Sequence, residues 1–495
     1  MKRIRLLFSG LALLLLSIYL GCAFLYGHLG FPLDDAWIYQ TYARNLILYG
    51  ELAYNLGQPS SGFTSPLWTF LISLGYLLRI NFKLWAYLLG ALFLSLTSLT
   101  VYRLGSTLFP QRKEFPLIAG VFCSLEWHLV WAAFSGMETM LFTFLSLLLI
   151  EQCLRYEPRF RIGGFLLKGL TGGLLTLTRP EGVILFAITF LLHLAFVNKL
   201  RAEKVASAIL LCIGFAIPFL PYIALNLTTT GLAFPSSFYA KQKEYRAMAE
   251  GLPFASRIFR VIKPTLVGAQ ALLLPGFFYG MYKKFKRIPL LPLSWFASLT
   301  LLYAWRLPVD YQHGRYVMPL IPIFILYGVW GTLSIFQLDS PHFVKRVISR
   351  TALLSIIVLL FAFVIIGARA YATDVCIIES EMVAVGSWLR ENTPSDALIA
   401  THDIGAIGYH SERTILDMAG LITPDVIPFI RDEEKLLAFI EERGADYLVT
   451  FPSWYPRIVE ESCIEPIWRT NSQWTRIAGG ENMVIYRVRC NQPES

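Results

Sequence analysis

Two adjacent carboxylates, Asp34-Asp35, stand directly ahead of the aromatic-rich stretch Ala36-Trp37-Ile38-Tyr39-Gln40-Thr41-Tyr42, which runs on to Tyr49 and closes at Gly50. A carboxylate near a membrane surface can take the proton from an acceptor hydroxyl during group transfer, a base role that needs an acid ionised at neutral pH. The second carboxylate would then position the first, or share a divalent cation such as Mg or Mn with it. A simpler reading stands beside this one, because Asp34 is also a good N-cap for the helix that follows. The aromatics Trp37, Tyr39, Tyr42 and Tyr49 suit a helix lying at the membrane interface.

Further polar groups recur at the ends of apolar runs. Ser135-Gly136-Met137-Glu138 and Thr178-Arg179-Pro180-Glu181 both fit the S/T-x-x-E capping box. Capping is the expected work of Glu181, whereas Glu138, an ionisable group at a span end, is a candidate for binding substrate. Arg179 either snorkels to headgroups or clamps a phosphate, which suits its guanidinium fork. The stretch Pro235-Ser236-Ser237-Phe238-Tyr239-Ala240-Lys241 opens a basic segment with Lys243, Arg246, Arg257, Arg260 and Lys263. Such a segment is ordinarily a headgroup-contacting surface, and Lys241 is the member best suited to meet a lipid phosphate. Asp310-Tyr311-Gln312-His313-Gly314-Arg315-Tyr316 adds another cation, Arg315, with His313 beside it. A lone histidine is more often structural than catalytic, so His313 joins the candidate binding set on position alone.

The elements that carry these groups belong to a membrane. Of 495 residues 55% are hydrophobic and 16% charged, with a mean hydropathy of +0.54, outside the range of soluble globular domains. Apolar runs predict spans near 4–26, 84–104, 116–134, 138–155, 164–178, 182–198, 205–225, 263–282, 289–305, 317–337 and 351–370, about eleven in all. The first follows Met1-Lys2-Arg3-Ile4-Arg5 without a small-residue cleavage site and reads as an uncleaved span. Residues 65–78 form an apolar run too short to cross, which suits an interfacial or re-entrant helix. With that run left uncrossed, the clusters Lys2/Arg3/Arg5, Arg103/Arg112/Lys113, Arg155/Arg159/Arg161/Lys168, Lys199/Arg201/Lys204, Lys283/Lys284/Lys286/Arg287 and Lys345/Arg346/Arg350 share one side. That side is the cytoplasm by the positive-inside rule. The loops 27–83, 135–138, 178–182, 226–263 and 306–315, which hold nearly every polar motif, are then extracytoplasmic.

The net charge of +9 is spread through these short clusters, so it reports topology and no nucleic-acid partner. The chain divides into a membrane part, 1–372, and a charged tail, 373–495, expected to face the extracytoplasmic side. Strand-like runs at 397–401, 446–451 and 483–488 with helical stretches between them make the tail a small α/β domain. His402-Asp403-Ile404-Gly405 and Asp417-Met418-Ala419-Gly420-Leu421 read as turns beside those strands. The seven cysteines include no CxxC pair, and Cys463 with Cys490 is a candidate disulfide if the tail lies outside the cytoplasm, with Cys376 the third cysteine of the tail.

Taken together, Asp34-Asp35-Ala36-Trp37, Tyr42-Ala43-Arg44-Asn45-Leu46, Gly62-x-Thr64-Ser65-Pro66-Leu67-Trp68, Gly136-Met137-Glu138-Thr139, Thr178-Arg179-Pro180-Glu181-Gly182 and Pro235-Ser236-Ser237-Phe238-Tyr239-Ala240-Lys241 resemble the GT-C superfamily of membrane glycosyltransferases, nearest to the branch of the bacterial terminal arabinofuranosyltransferases. The resemblance implies a mostly α-helical polytopic fold and a polyprenyl-phosphate sugar donor entering from the membrane lipids. It also implies an extracytoplasmic glycan, lipid or protein acceptor, and a catalytic base at Asp34 or Asp35. The sugar expected is arabinofuranose or mannose, transferred with inversion. Glu138, Arg179, Lys241, His313 and Arg315 are the candidate substrate-binding residues. Gln40 departs from the pattern, standing where that family commonly carries histidine. A transporter or flippase is the rival class, but it would show an internal repeat and mid-span charges, and the ionisable groups here sit at span ends.

Overall fold

The computed structural model describes residues 1–155, 161–196, 201–284 and 290–490. The basic residues Arg159, Lys199, Lys286 and Arg287 of the topology argument lie outside the described residues, as do residues 197–198 and 289 at the ends of the spans expected at 182–198 and 289–305.

In hydrocarbon every backbone polar group must be satisfied within its own segment, so the apolar runs form helices. The first is α1 (Lys2–Leu25). The loop after it folds into α2 (Asp35–Leu48) and α3 (Pro66–Leu77) before α4 (Phe82–Leu108). Helix α3 starts where Ser65 accepts the N–H of Trp68 and Pro66 occupies the first turn, and its 12 residues rise only about 18 Å. It is the short helix expected at 65–78.

The span expected at 116–134 is a broken one. Helices α5 (Phe115–Leu125) and α6 (Trp127–Phe134) meet at 54°. Glu126 makes the break tolerable, because its carboxylate caps α6 at the N–H of Leu129. Next come α7 (Thr139–Leu154), α8 (Ile162–Thr178) and α9 (Gly182–Phe196), of 16, 17 and 15 residues. The long α10 (Arg201–Thr230) follows, with Pro218 and Pro221 inside it.

Three short helices follow, α11 (Ser236–Glu244), α12 (Arg246–Glu250) and α13 (Phe254–Ile262). The single span expected at 263–282 is corrected here. Residues Lys263–Leu266 and Ala269–Leu273 are 3-10 turns ahead of α14 (Leu274–Lys284), and the chain bends by 111° between them. Pro264 removes an amide donor, and Gly268 adopts φ 143°, a conformation open in practice to glycine only. The bundle is completed by α15 (Leu290–Arg306), α16 (Ile321–Ile335) and α17 (Phe343–Ile378). Helices α14 and α16 approach through glycines, for a Cβ on Gly331 would meet the Gly276 carbonyl carbon at 2.6 Å.

Among the described residues five helices are long and apolar enough to cross a membrane, and up to seven spans result if each bent pair is one crossing. The protein is a polytopic membrane protein.

Helix α17 runs straight through position 372, continues to Ile378, and passes by a π turn at Glu379–Val383 into α18 (Ala384–Asn392). The tail is then β1 (Leu398–Thr401), α19 (Gly405–Ser411), β2 (Thr414–Asp417), α20 (Glu433–Glu442), β3 (Tyr447–Thr450), β4 (Ile464–Arg469) and β5 (Val484–Val488). The sheet order is β2-β1-β3-β5-β4, with β1 parallel to both neighbours and β5 antiparallel to β3 and β4. Strands β2 and β4 are additions to the expected three. Both lie at sheet edges, and β4 is bulged between Pro466 and Trp468, so neither presents a clean apolar run. Glu381 in the π turn is wholly buried. It accepts from Thr475 at 2.6 Å, Asn482 at 2.7 Å and the N–H of Met483 at 3.0 Å, which fixes the sheet to α17. Cys463 and Cys490 are disulfide-bonded across β4 and β5.

Candidate active site

Asp34 and Asp35 sit at the start of α2, where successive side chains point about 100° apart, and they face different surroundings. Asp34 does not cap α2. Its two carboxylate oxygens accept the N–H groups of Gly405 and Ala406, each at 2.7 Å, from the first turn of α19 in the tail. The expected local cap gives way because another helix start presents unsatisfied donors directly to the carboxylate. Burial and the neighbouring Asp403 push the Asp34 carboxyl up to about 8, with the two N–H bonds opposing.

Asp35 faces a cavity of about 850 Å³ empty volume, also lined by Glu138, Arg179, Lys241 and Arg315. Its Oδ2 accepts from Lys241 Nζ at 3.2 Å and from Arg315 Nη2. Burial works against the charge of Asp35, but Lys241 and Arg315 outweigh it and hold the carboxyl well below the usual carboxylate range. Arg315 is 3% exposed and spends Nη2 on Asp35 and on Tyr316 Oη at 3.1 Å. Its Nε and Nη1 are buried with no hydrogen-bond partner among the described residues, a costly state for cationic donors.

The facing wall is built on Arg179. Its Nη1 lies 3.1 Å from Glu138, its Nε 3.5 Å from Glu181, and its Nη2 donates to Tyr303 Oη at 2.8 Å. Tyr303 in turn donates to Glu181 at 2.7 Å. Both capping boxes are thereby corrected. Ser135 and Thr178 bond back to the carbonyls of Ala132 and Leu174, and both glutamates turn to the guanidinium. A buried cation needs compensating charge more than an accessible helix end needs a cap.

Two candidates do not line this cavity: Asp34, which faces the tail, and His313. The His313 ring stands 5.2 Å from Trp127 and 5.0 Å from Trp131, and Nε2 lies 2.9 Å from Asp374, which also accepts from Trp131. It lines a second cavity that shares no residue with the first. Conversely, the cavity wall includes Tyr39, Tyr303, Arg306 and Tyr316, none of them foreseen as site residues. Arg306 was findable, since it starts the same loop, 306–315, that flagged Arg315. Tyr303 was not, because a tyrosine inside an apolar run carries no signal of its own.

The separated motifs meet in space. Trp68 Nε1 donates to the Gly136 carbonyl at 2.8 Å, and a Cβ on Gly136 would lie 3.0 Å from that of Ala36. Thr64 bonds Ser237 at 3.0 Å, and Ser236 N–H bonds the Ser61 carbonyl at 3.2 Å, so α11 begins against the first loop.

The acidic pair is a poor cradle for a divalent cation. Both oxygens of Asp34 are engaged by backbone N–H groups, and Asp35 is already neutralised by two cations that would repel a third. The only three-ligand cluster among the described residues, Glu441 with Cys463 and Cys490, has two of its ligands in the disulfide.

A family profile described as a domain of unknown function, DUF8728, matches residues 370–486. The comparison with curated proteins gives no match. Solved structures are similar over nearly the whole chain. The oligosaccharyltransferase of Archaeoglobus fulgidus, tethered with an acceptor peptide containing the NVT sequon, superposes with a TM-score of 0.61 at 13% identity, covering 96% of this chain and 74% of that one. ArnT from Cupriavidus metallidurans, bound to undecaprenyl phosphate, gives 0.60 at 15% identity and 99% of both chains. The arabinofuranosyltransferase AftD from Mycobacteria gives 0.53 at 15% identity, covering 100% of this chain and 40% of that one, so this chain spans two fifths of its length. The fold of this chain is the GT-C fold of the membrane glycosyltransferases that its motifs resemble.

Proposed function

We propose that the chain transfers a sugar, arabinofuranose or mannose, from a polyprenyl-phosphate donor to a hydroxyl of an extracytoplasmic glycan, lipid or protein. Asp35 is the base, and Arg315 and Lys241 hold the donor phosphate. The observation that carries the reading is the pair of orphaned Arg315 donors beside Asp35 on the cavity wall. A phosphate oxygen is the ligand that such a fork accepts best.

The acceptor hydroxyl gives its proton to Asp35 as its oxygen bonds the anomeric carbon. The bond from that carbon to the phosphate oxygen breaks, and its electron pair leaves on the polyprenyl phosphate. Negative charge on the phosphate grows along this path, so cations fixed beforehand favour the transition state over the bound donor. The same cations are the counterions that keep Asp35 a weak base. A phosphate that takes a share of Lys241 and Arg315 raises the proton affinity of Asp35, so the base strengthens once the donor is bound. Glu138 Oε2, which accepts no hydrogen bond, is placed to receive a sugar hydroxyl, with Arg179 holding Glu138 and Glu181 in place. Glu138 and Glu181 are paired with Arg179, so Asp35 is the carboxylate beside the phosphate-binding cations, and direct displacement with inversion is the economical course.

The test is transfer of labelled sugar from a panel of polyprenyl-phosphate donors in proteoliposomes. Folded Asp35→Asn protein is expected to be silent with the donor that wild type uses. Turnover by Asp35→Asn at the wild-type rate would remove the base. Silence of folded wild type across donors and acceptors would instead favour a transporter or flippase for lipid-linked substrates.

A further inference from the structure

Residues 402–406 of the tail touch both elements whose side chains meet at the centre of the cavity. At one end, Gly405 and Ala406 donate to the Asp34 carboxylate at 2.7 Å. Gly405 leaves no room there, since a Cβ would stand 2.6 Å from Asp34 Oδ2 and 2.8 Å from the Asp34 carbonyl carbon. Tyr54 of the first loop also donates to the Ile404 carbonyl. Any shift of this turn is therefore delivered to the peptide that joins Asp34 to Asp35.

At the other end, His402 Nε2 lies 3.6 Å from Glu244, which also pairs with Arg431 of the tail at 3.0 Å. Glu244 is the last residue of α11, one turn beyond Lys241. The start of α11 is tied to the first loop through Ser236 and Ser237, and the tail secures its other end. Asp35 and Lys241 lie 206 residues apart in the chain, and the tail turn bridges their two elements.

We infer that residues 402–406 are a clamp by which the C-terminal domain sets the Asp35–Lys241 pair, with His402 and Gly405 as positioning residues and Asp34 as the receiving end. The inference rests on the glycosyltransferase reading for its kinetic consequences. It gives the region matched by the domain of unknown function a role in assembling the active site, in addition to any binding of the acceptor.

The two ends of the clamp act on different steps. Gly405→Ala pushes the base off its line while leaving Lys241 and Arg315 for the phosphate, so kcat falls about 10- to 100-fold with donor KM unchanged. His402→Gln loosens α11 and Lys241, so donor KM rises about fivefold with kcat within about twofold. Asp34→Ala combined with Gly405→Ala is expected to cost no more than the worse single change, because both break one contact. Docking bonds from Arg44 to the Tyr409 carbonyl and from Asn55 to both sides of Ile415 are untouched by these changes.

These kinetics are read on full-length protein in proteoliposomes, with a donor that wild type turns over. Both parameters within twofold of wild type in both variants, or parallel losses that multiply in the double variant, would overturn the clamp. A geometric readout needs no turnover and separates failure of the clamp from failure of the transferase reading. Asp35→Cys and Lys241→Cys are combined, with the other non-disulfide cysteines replaced, and the two thiols are joined by a short bis-maleimide. Gly405→Ala should slow that cross-link several-fold, and an equal rate sinks the clamp. If Gly405→Ala does not fold, Asp34→Asn carries the same cross-linking test, since it keeps only one of the two acceptor oxygens.

Discussion

Replacing Arg315 by alanine strips the cavity of two kinds of contact at once. It removes the Nη2 bond to Asp35 and the Nε and Nη1 donors that have no other partner. Two charge-assisted bonds to a phosphate, at about 1.5 to 3 kcal/mol each, correspond to a fall of about 10² to 10⁴ in kcat/KM. Because the phosphate gains charge as the donor bond breaks, most of that fall should appear in kcat and less in donor KM. Arg315→Lys restores a point charge without the fork and should recover part of the loss. The same change alters the pH profile. In wild type Lys241 and Arg315 hold Asp35 far down against the effect of burial, so the proposed base should stay ionised and activity should be flat across about pH 4 to 7. Without Arg315 the folded-state pKa rises, the ionised form persists only above that higher value, and an acid limb enters the range as pH falls. The assay is kcat and KM for the preferred polyprenyl-phosphate donor across that range in proteoliposomes. Arg315→Ala within fivefold of wild type, or with no acid limb, would refute the assignment of Arg315 to both Asp35 and the phosphate.

Other outcomes follow from the same geometry. Burial draws the His402 imidazole down, but Asp403 and Glu244 outweigh it and push it up to about 10. A raised folded value means the stabilising proton is fully bound below about pH 6.5, the free value, and is lost as pH rises toward 10. The melting temperature of wild type should therefore fall over that interval more steeply than that of His402→Gln, and equal slopes would contradict the pairing. Arg179→Met leaves Glu138 and Glu181 buried without their cation and should destabilise the bundle by about 3 to 5 kcal/mol. Arg179→Lys should recover part of this in a thermal melt, and an unchanged melting temperature in Arg179→Met would show that the cluster is not compensated as described. Cys463→Ser opens a loop with a sequence separation of 27 and should cost about 3.5 kcal/mol by chain entropy. Equal unfolding of the oxidised and reduced tail would rule that out.

Much of the architecture was legible from hydropathy and charge, because crossing a membrane imposes a length and an apolar composition that no tertiary contact can waive. The long helices at Lys2–Leu25, Phe82–Leu108, Arg201–Thr230 and Phe343–Ile378 stand where apolar runs predicted spans. The failures were local. The run at 263–282 reads as continuous only if Pro264 and Gly268 are averaged away, and the run at 116–134 hides a break that Glu126 caps. In the tail, β2 and β4 escaped notice because edge strands need be apolar on one side at most.

Residue types alone placed Asp35, Glu138, Arg179, Lys241 and Arg315 among the candidates, because ionisable groups at span ends are rare enough to stand out. Where each stands and what it pairs with was decided in three dimensions. Asp34 and Asp35 are equivalent as letters, yet one receives two N–H groups from a helix that begins 371 residues later and the other faces the cavity between Lys241 and Arg315. Glu138 and Glu181 satisfy a capping pattern and decline it, and His313 fits the candidate set but stands between two tryptophans against Asp374. A local rule counts only the neighbours along the chain. Burial makes an uncompensated charge or donor so costly that distant partners override the local preference, and those partners appear only when the chain is folded.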